Sequence, residues 1–386
     1  HLNPLPILRS TQRLSMRITC IRVFRADLPL KEGSYSWSTQ SHAAFDTTVV
    51  LVETDQGITG VGECCPLGPT YLPAYAQGVR AGISQLAPSL IGEDPTQIEC
   101  INDTMDALLK GHPYVKSAID MACWDILGKV SGLPLYTLLG GLRQEKVTLY
   151  KVVTRADPGA MAERIPEYRA QGYRQFQVKV GEDPATDIIR IHRVAQEMEA
   201  GEVLNADANT GWKQHEALQV ANAIADLATQ TGIRLTFEQP CLSYEECLAV
   251  RAHTDLPFVL DECIDSLAAL LRANQDHAMD MINLKISRFG GLTRARQARD
   301  LCVSLGLPMN VEDSWGGEIA TAAIAHLAHS TPPAFQFQSP AFHEYATIEI
   351  ATGAPTVHEG TMTASDAPGL GVEPILEALE PVNEYR

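Results

Sequence analysis

Short apolar segments recur along the chain from about residue 147, at intervals of about 25–30 residues. They are rich in β-branched and aromatic residues, and amphipathic helical patterns such as 216–227 and 293–305 lie between most of them. The eight segments are 148–152, 176–180, 203–207, 234–238, 258–261, 281–285, 309–312 and 335–338. Eight strands that alternate with helices are typical of a (β/α)8 barrel, whereas open wound sheets have fewer such units. The spacing therefore predicts a barrel.

The chain before this region has a different pattern. Strand-like alternation occupies residues 16–64, and helical patterns follow near 73–90, 95–110 and 113–130. This order predicts an α+β domain rather than a continuation of the barrel.

These patterns divide the chain into three parts. We predict an N-terminal α+β domain at 16–145, a barrel at 146–354, and a C-terminal segment at 355–386 that returns to the N-terminal domain. Residues 1–15 precede the first predicted strand, and we interpret them as an extension outside the fold.

Polar residues follow a regular pattern at the ends of the predicted barrel strands. Four strands carry polar pairs two positions apart: Gln177 and Lys179, Asn205 and Asp207, Thr236 and Glu238, and Asn283 and Lys285. Because side chains alternate along a strand, both members of a pair share one face. Active sites of barrels lie at the carboxyl ends of the strands, so these pairs indicate the site.

Three carboxylates end three consecutive strands: Asp207, Glu238 and Asp261. Carboxylates that converge repel one another, and a divalent cation relieves that repulsion. A donor set made only of oxygen atoms favours Mg²⁺ over zinc. The sequence therefore predicts a magnesium site.

Lys179 and Lys285 end the strands on either side of these carboxylates. The second and sixth strands lie across the barrel from each other, so the two ammonium groups should approach the centre from opposite sides. A substrate carboxylate bound to the metal would place its α-carbon between them. The metal would stabilise the enediolate, and a lysine with a lowered pKa would remove the α-proton. One charged strand end is usually a solvated surface group, but the order Lys-Asp-Glu-Asp-Lys on five consecutive strands indicates an active site.

The motifs around these residues resemble the muconate-lactonizing subgroup of the enolase superfamily. The similar stretches are 178–181, 205–209, 237–240, 260–262, 283–285 and 290–292, within a resemblance that spans 16–375. It implies Mg²⁺ on the three carboxylates, Lys179 and Lys285 as acid and base, and an N-terminal domain that caps the barrel and selects the substrate. One departure is Gln177, where the family often has lysine. This weakens the positive field at Lys179, and Gln177 is expected to contact either the substrate carboxylate or a metal ligand.

Further stretches resemble a branch of the family that acts on proline derivatives. They are 33–37, 65–69, 71–75 and 312–317, while 110–116 and 239–246 are most similar to its dehydratases. The resemblance implies dehydration of cis-3-hydroxy-L-proline to Δ1-pyrroline-2-carboxylate with competing 2-epimerisation. The alternative is 2-epimerisation of proline betaine or 4-hydroxyproline betaine.

Six residues are predicted to bind the substrate: Tyr35, Trp37, Tyr71, Gln177, Asp313 and Trp315. The first three are expected to close over the substrate ring. Trp315 offers an aromatic face suited to a cationic nitrogen, and its alternative role is packing beneath the N-terminal domain.

Two other classes of function fit these residues less well. Lys285 could form the Schiff base of a class I aldolase, but the three carboxylates would then have no role. A barrel that only binds a ligand would not need two opposed lysines.

Charge and cysteine content bear on partners and compartment. A formal net charge of −17 argues against nucleic acid and anionic membranes as partners, and no apolar run reaches the ~18 residues needed to span a bilayer. Nine scattered cysteines without a Cys-x-x-Cys pair fit a reducing cytoplasm. We therefore expect a small-molecule substrate and a cytoplasmic location, and the family resemblance suggests a homo-oligomer.

Overall fold

The computed structural model describes residues 16–386, so the interpretation of 1–15 lies outside the described residues. Its strands are β1 (Ile18–Pro29), β2 (Tyr35–Trp37), β3 (Gln40–His42), β4 (Ala44–Thr54), β5 (Thr59–Cys64), β6 (Val147–Thr148), β7 (Lys151–Val153), β8 (Gln175–Lys179), β9 (Val203–Asp207), β10 (Arg234–Glu238), β11 (Phe258–Leu260), β12 (Met281–Lys285), β13 (Met309–Glu312), β14 (Ala351–Thr352), β15 (Thr356–His358), β16 (Thr361–Thr363), β17 (Glu373–Pro374) and β18 (Glu380–Tyr385).

The α-helices lie mainly between these strands. They are α1 (Ala76–Leu90), α2 (Ile98–Leu108), α3 (Pro113–Ser131), α4 (Leu135–Leu138), α5 (Pro158–Ala170), α6 (Pro184–Glu197), α7 (Gln214–Ile224), α8 (Leu227–Thr231), α9 (Tyr244–Arg251), α10 (Leu267–Gln275), α11 (Ile286–Phe289), α12 (Leu292–Leu305) and α13 (Glu318–His329). No helix between residues 16 and 386 combines the length and the apolarity that crossing a bilayer requires.

The N-terminal domain is built on an antiparallel sheet with the strand order β18-β1-β4-β5. Its outer strand β18 comes from the C-terminal segment and pairs with β1, Ile21 opposite Tyr385. Helix α3 packs on β5 and is buried along most of its length. The packing is close because a Cβ atom at Gly60 or Gly62 would overlap the backbone of α3.

The barrel contains a parallel sheet with the order β13-β12-β11-β10-β9-β8-β7. Segment 335–339 closes it, because Gln336 bridges to Met309 on one side and Ser339 to Leu149 on the other. This arrangement, with the N-terminal α+β domain, confirms the predicted (β/α)8 fold with its additional domain.

Two of the predicted barrel strands differ from the strands in the structure. Segment 335–338 makes bridges but no regular strand, because prolines at 332, 333 and 340 flank it and have no N–H to donate. The predicted first strand at 148–152 is split between β6, which pairs with β16, and β7, which belongs to the barrel.

Two carboxylates of the N-terminal domain attach it to the barrel. Asp120 on α3 accepts hydrogen bonds from the backbone N–H and the hydroxyl of Thr293, at 3.1 and 2.5 Å, where α12 begins. Glu63 at the end of β5 accepts hydrogen bonds from the backbone N–H groups of Gly317 and Ala320, both at 2.8 Å, where α13 begins. Each carboxylate therefore satisfies backbone donors at a helix N-terminus of the barrel.

Candidate active site

The five predicted charged residues meet at the carboxyl ends of the barrel strands. The register places Lys179 beside Asp207 and Asp207 beside Glu238, while Asp261 follows β11 and Lys285 ends β12. All five are buried, the lysines at 4% and 6% exposure. Period-two alternation therefore directs these side chains into the barrel as expected.

Each lysine forms an ion pair with one of the carboxylates. Lys179 Nζ lies 2.5 Å from Asp207 Oδ2, and Lys285 Nζ lies 2.7 Å from Asp261 Oδ2. Burial alone would lower the pKa of Lys179, but the Asp207 charge raises it well above its usual value. The Asp261 charge likewise outweighs burial and raises the pKa of Lys285. Both lysines are therefore protonated in this arrangement, which does not provide the lowered pKa expected of the base.

Glu238 lies between these two ion pairs and contacts three amide side chains. Its oxygens accept hydrogen bonds from Asn283 at 2.6 Å, from Asn205, and from Gln177 at 3.4 Å. Burial, and then repulsion by Asp207 and Asp261, raise the pKa of Glu238 well above its usual value. The structure thus places Gln177 against a predicted metal ligand, one of its two expected contacts.

The three carboxylates do not converge on one point in this conformation. No three acidic, histidine or cysteine side chains within 16–386 are grouped closely enough to hold a metal ion as they stand. The reason is local: one oxygen of Asp207 and one of Asp261 are turned toward the lysines.

The charges and donor atoms of the cluster nevertheless fit a divalent cation. Five buried carboxylates belong to it, Asp207, Glu238, Asp261, Glu262 and Glu312, against three buried cations, Lys179, Lys285 and Arg288. The formal excess is two negative charges, five minus three. Two buried oxygens beside them, Asn209 Oδ1 and Glu262 Oε2, have no hydrogen-bond partner among the described residues. An oxygen-only set with this excess suits Mg²⁺.

A small space, here called the chamber, lies above these charges. Its volume is about 20 Å³, room for about one water molecule. Among the predicted site residues, the ones that line it are Tyr35, Trp37, Gln177, Lys179, Lys285 and Asp313. The structure therefore brings both lysines to one space, which must enlarge to admit a substrate.

The hairpin of β2 and β3 contributes Tyr35 and Trp37, both on β2, to the lining of this space. Trp37 packs against Tyr71 with ring centroids 6.1 Å apart, and the Tyr71 hydroxyl accepts a hydrogen bond of 3.1 Å from Lys285 Nζ. Tyr35 lies with its ring centroid 5.8 Å from Lys179 Nζ. All three predicted ring-covering residues thus lie beside the chamber or its lysines.

Trp315 and Asp313 are placed differently from the other predicted site residues. Trp315 is buried behind Tyr35, at a centroid distance of 4.8 Å, and packs on Phe342 at 4.7 Å. In the described part of the chain it is not a chamber-lining side chain, which matches its alternative packing role. The Asp313 carboxylate lines the chamber but accepts hydrogen bonds from the backbone N–H groups of Ser287 and Ser314. Its carboxylate therefore joins the loop after β13 to the start of helix α11.

Three charged residues of the cluster are not among the site residues predicted from the sequence: Glu262, Glu312 and Arg288. Glu312 ends β13 beside Lys285, lies 3.5 Å from its Nζ and accepts a hydrogen bond of 2.7 Å from the Tyr150 hydroxyl. Asn310 and Glu312 repeat the period-two polar pattern of the other strands, which could have revealed Glu312. Arg288 lies 2.5 Å from Asp261 Oδ1. Burial would raise the pKa of Asp261, but the charges of Arg288 and Lys285 outweigh burial and set that pKa below its usual range.

Comparison with known proteins adds independent information. A family model described as the mandelate racemase/muconate lactonizing enzyme N-terminal domain matches residues 18–140, and one described as enolase C-terminal domain-like matches 160–378. The chain is 54% identical over 372 residues to a cis-3-hydroxy-L-proline dehydratase from Roseibium aggregatum, covering 96% of this chain and 100% of that protein.

One further relative is a racemase, and one similar solved structure contains magnesium. An N-succinyl-L-Arg/Lys racemase from Bacillus cereus is 31% identical over 318 residues, covering 82% of this chain and 85% of the racemase. A solved enolase superfamily structure from Roseovarius nubinhibens, complexed with magnesium, matches with a TM-score of 0.89 and 41% identity, covering 96% of this chain and 100% of that one.

Proposed function

The chain is an enzyme of the mandelate racemase/muconate lactonizing enzyme family in the enolase superfamily, and from this premise we propose that it dehydrates cis-3-hydroxy-L-proline. The product is Δ1-pyrroline-2-carboxylate, with 2-epimerisation as a competing outcome. The observation that carries the proposal is that Lys179 and Lys285 line one chamber above three strand-end carboxylates. The 54% identity to a dehydratase of this substrate supports the choice of ring.

The two lysines take complementary roles in the elimination. In cis-3-hydroxy-L-proline the hydroxyl shares a ring face with the carboxylate, so the α-hydrogen lies on the opposite face. One lysine, after it has lost its own proton to solvent, removes the α-proton, while the other lysine is still protonated and donates a proton to the departing hydroxyl. The C–H and C–O bonds break, a carbon–carbon double bond forms, and water leaves. The resulting enamine tautomerises to the imine product.

We propose Asp207, Glu238 and Asp261 as ligands of Mg²⁺. When bound, the ion would compensate the negative charge that develops on the substrate carboxylate. Lys179 and Lys285 now contact Asp207 and Asp261, so these lysines would exchange a carboxylate partner for the substrate. Glu238 would keep its orientation through the amide groups of Asn205 and Asn283.

Epimerisation is the second candidate outcome, and the same residues support it. If the second lysine returns a proton to the α-carbon, the configuration inverts and the hydroxyl stays. The 31% identical racemase is consistent with this use of the family's chemistry. The 2-epimerisation of proline betaine or 4-hydroxyproline betaine is the corresponding alternative substrate choice.

The test is an assay of the purified protein with proline analogues in D₂O, followed by NMR. We expect Δ1-pyrroline-2-carboxylate from cis-3-hydroxy-L-proline and α-deuterium in analogues without a 3-hydroxyl. Inversion of the betaines without any dehydration would favour the alternative, and no exchange with any analogue would contradict both. Borohydride should not trap a substrate adduct, since trapping at Lys285 would instead indicate a Schiff-base aldolase.

We further propose a cytoplasmic location and a homo-oligomer. Seven of the nine cysteines are buried free thiols, which suits a reducing compartment. Sedimentation analysis of the purified protein tests the oligomer.

A further inference from the structure

A second cavity, here called the outer cavity, adjoins the chamber at Tyr35. Its volume is about 260 Å³, and Tyr35 lines both spaces. Lys151 and Tyr345 also line it, and Glu32 and Glu344 contribute carboxylates. The chamber is too small for a substrate, whereas the outer cavity next to it is more than ten times larger.

Lys151 is a buried cation without an ionic partner. It is only 8% exposed, and among residues 16–386 its Nζ forms no salt bridge or hydrogen bond. Tyrosine rings surround it instead, with the Nζ 4.2 Å from the centroid of Tyr345, 5.4 Å from Tyr173 and 5.5 Å from Tyr168. Burying an unpaired charge is costly, so an anion that reached this ammonium would be stabilised.

The carboxylates of the outer cavity lie nearer its opening. Glu32 is exposed and Glu344 half-buried, and the Tyr168 hydroxyl fixes Glu32 with a hydrogen bond of 2.8 Å. A ligand with one negative and one positive group could therefore place the negative group at the buried Lys151 and the positive group near Glu32 and Glu344. The exposed Lys31 also lines the cavity, so two lysines and two glutamates balance formally, and a zwitterion suits them better than an ion of one sign.

We propose that the outer cavity binds the zwitterion of a small α-amino or α-imino acid, with its carboxylate on Lys151 Nζ and its ammonium toward Glu32 and Glu344. The site holds the substrate before Tyr35 admits it to the chamber. The naming of this ligand as the substrate rests on the proposed function, while the binding site itself does not.

The first test is kinetic. Lys151→Met should lower kcat/KM for cis-3-hydroxy-L-proline about tenfold, the loss of one charge-assisted hydrogen bond, and leave kcat at saturation unchanged. Lys151→Arg should retain most of kcat/KM. Lys146→Met removes an exposed lysine elsewhere and serves as the control for net charge. Unchanged kcat/KM in Lys151→Met would overturn the proposal, and so would an equal loss in Lys146→Met.

The second test is a crystal of the whole protein soaked with L-proline, which has no 3-hydroxyl to lose. We expect its carboxylate within ~3 Å of Lys151 Nζ in the wild type and an empty outer cavity in Lys151→Met. Proline in the chamber alone would overturn the inference. If the wild type fails to dehydrate hydroxyproline but still binds proline at Lys151, the proposed function fails and the outer site stands.

Discussion

Glu63 and Gly317 are joined by a hydrogen bond of 2.8 Å from the Gly317 backbone N–H to Glu63 Oε1. The first residue belongs to the N-terminal domain, and the second ends the loop that follows β13. The other oxygen of Glu63 accepts a hydrogen bond from the Ala320 N–H, so one buried carboxylate joins the two domains. A helix N-terminus favours a negative group at this position.

We predict that Glu63→Gln lowers the free energy of unfolding by about 1–3 kcal/mol, because a buried N–H of Gly317 or Ala320 loses its acceptor. Burial raises the pKa of Glu63 to about 7, so urea unfolding should be measured well above that pH, where the wild-type carboxylate is ionised. Glu163→Gln on the exposed face of α5 is the control. Equal stability of the two variants would contradict this role.

His326 gives a prediction about acid stability. Its Nδ1 accepts a hydrogen bond from the Tyr136 N–H at 3.2 Å, and its Nε2–H donates to the Leu370 carbonyl at 3.0 Å, so the buried ring is neutral. Burial lowers its pKa from 6.5 to about 4. The unfolded chain therefore binds the extra proton between these values, and stability falls as the pH drops from 6.5 to 4, by about 3 kcal/mol.

Unfolding of wild type and His326→Gln across this pH range checks the prediction. The variant is expected to be less stable at neutral pH and to depend less on pH between 6.5 and 4. Parallel pH profiles of the two proteins would show that His326 does not carry the effect.

The metal-ligand assignment predicts a common loss in three variants. Asp207→Asn, Glu238→Gln and Asp261→Asn should each lose most activity and bind Mg²⁺ more weakly, because each removes a charged oxygen donor. Asp255→Asn changes an exposed carboxylate and should leave both unchanged. EDTA should inactivate the wild type and Mg²⁺ restore it. A ligand variant with normal turnover and normal Mg²⁺ affinity does not carry a ligand role.

The opposed lysines predict a stereochemical result. Lys179→Ala and Lys285→Ala should each lose dehydration and epimerisation, with a loss of about 10²–10⁴-fold per missing role. Each variant retains a lysine on one face, so we expect the two to exchange the α-proton of opposite enantiomers in D₂O. NMR of both enantiomers with each variant measures this. Exchange of the same enantiomer by both variants would refute the assignment.

The hairpin residue Trp37 predicts a change in selectivity. It stacks on His42 at a centroid distance of 5.1 Å and contacts Tyr71, both outside the barrel. Trp37 also lines the chamber, so Trp37→Ala should alter the ratio of kcat/KM values among proline analogues while the protein remains folded. Unchanged ratios across the analogues would show that the hairpin does not select the substrate.

The strand-end charges were predictable from the sequence because their signal is local. Side chains alternate between the two faces of a strand, so the position of Lys179 and Asp207 at their strand ends is enough to place both on one face. Glu312 carries the same signal beside Asn310, although it is not among the predicted site residues. Arg288 lies in the short helix α11, where no periodicity indicates which way a side chain points.

The positions of Trp315 and Lys151 could not be predicted in this way. Trp315 packs against Tyr35, 280 residues earlier in the chain, so its orientation depends on how the two domains meet. Lys151 lies on the first barrel strand, and its burial depends on tyrosines from α5 and from the loop before β8 and on Tyr345. Contacts between distant segments decide both positions.

The pairing of β18 with β1 has a consequence for biosynthesis. Strand β1 is among the first parts of the described chain to leave the ribosome, and its outer partner is among the last. Until β18 arrives, the backbone donors and acceptors on that edge of β1 are unpaired, and such an edge can associate with other chains. The N-terminal sheet is therefore completed only after the whole barrel has been translated, and a ribosome that stalls inside the barrel leaves that edge exposed.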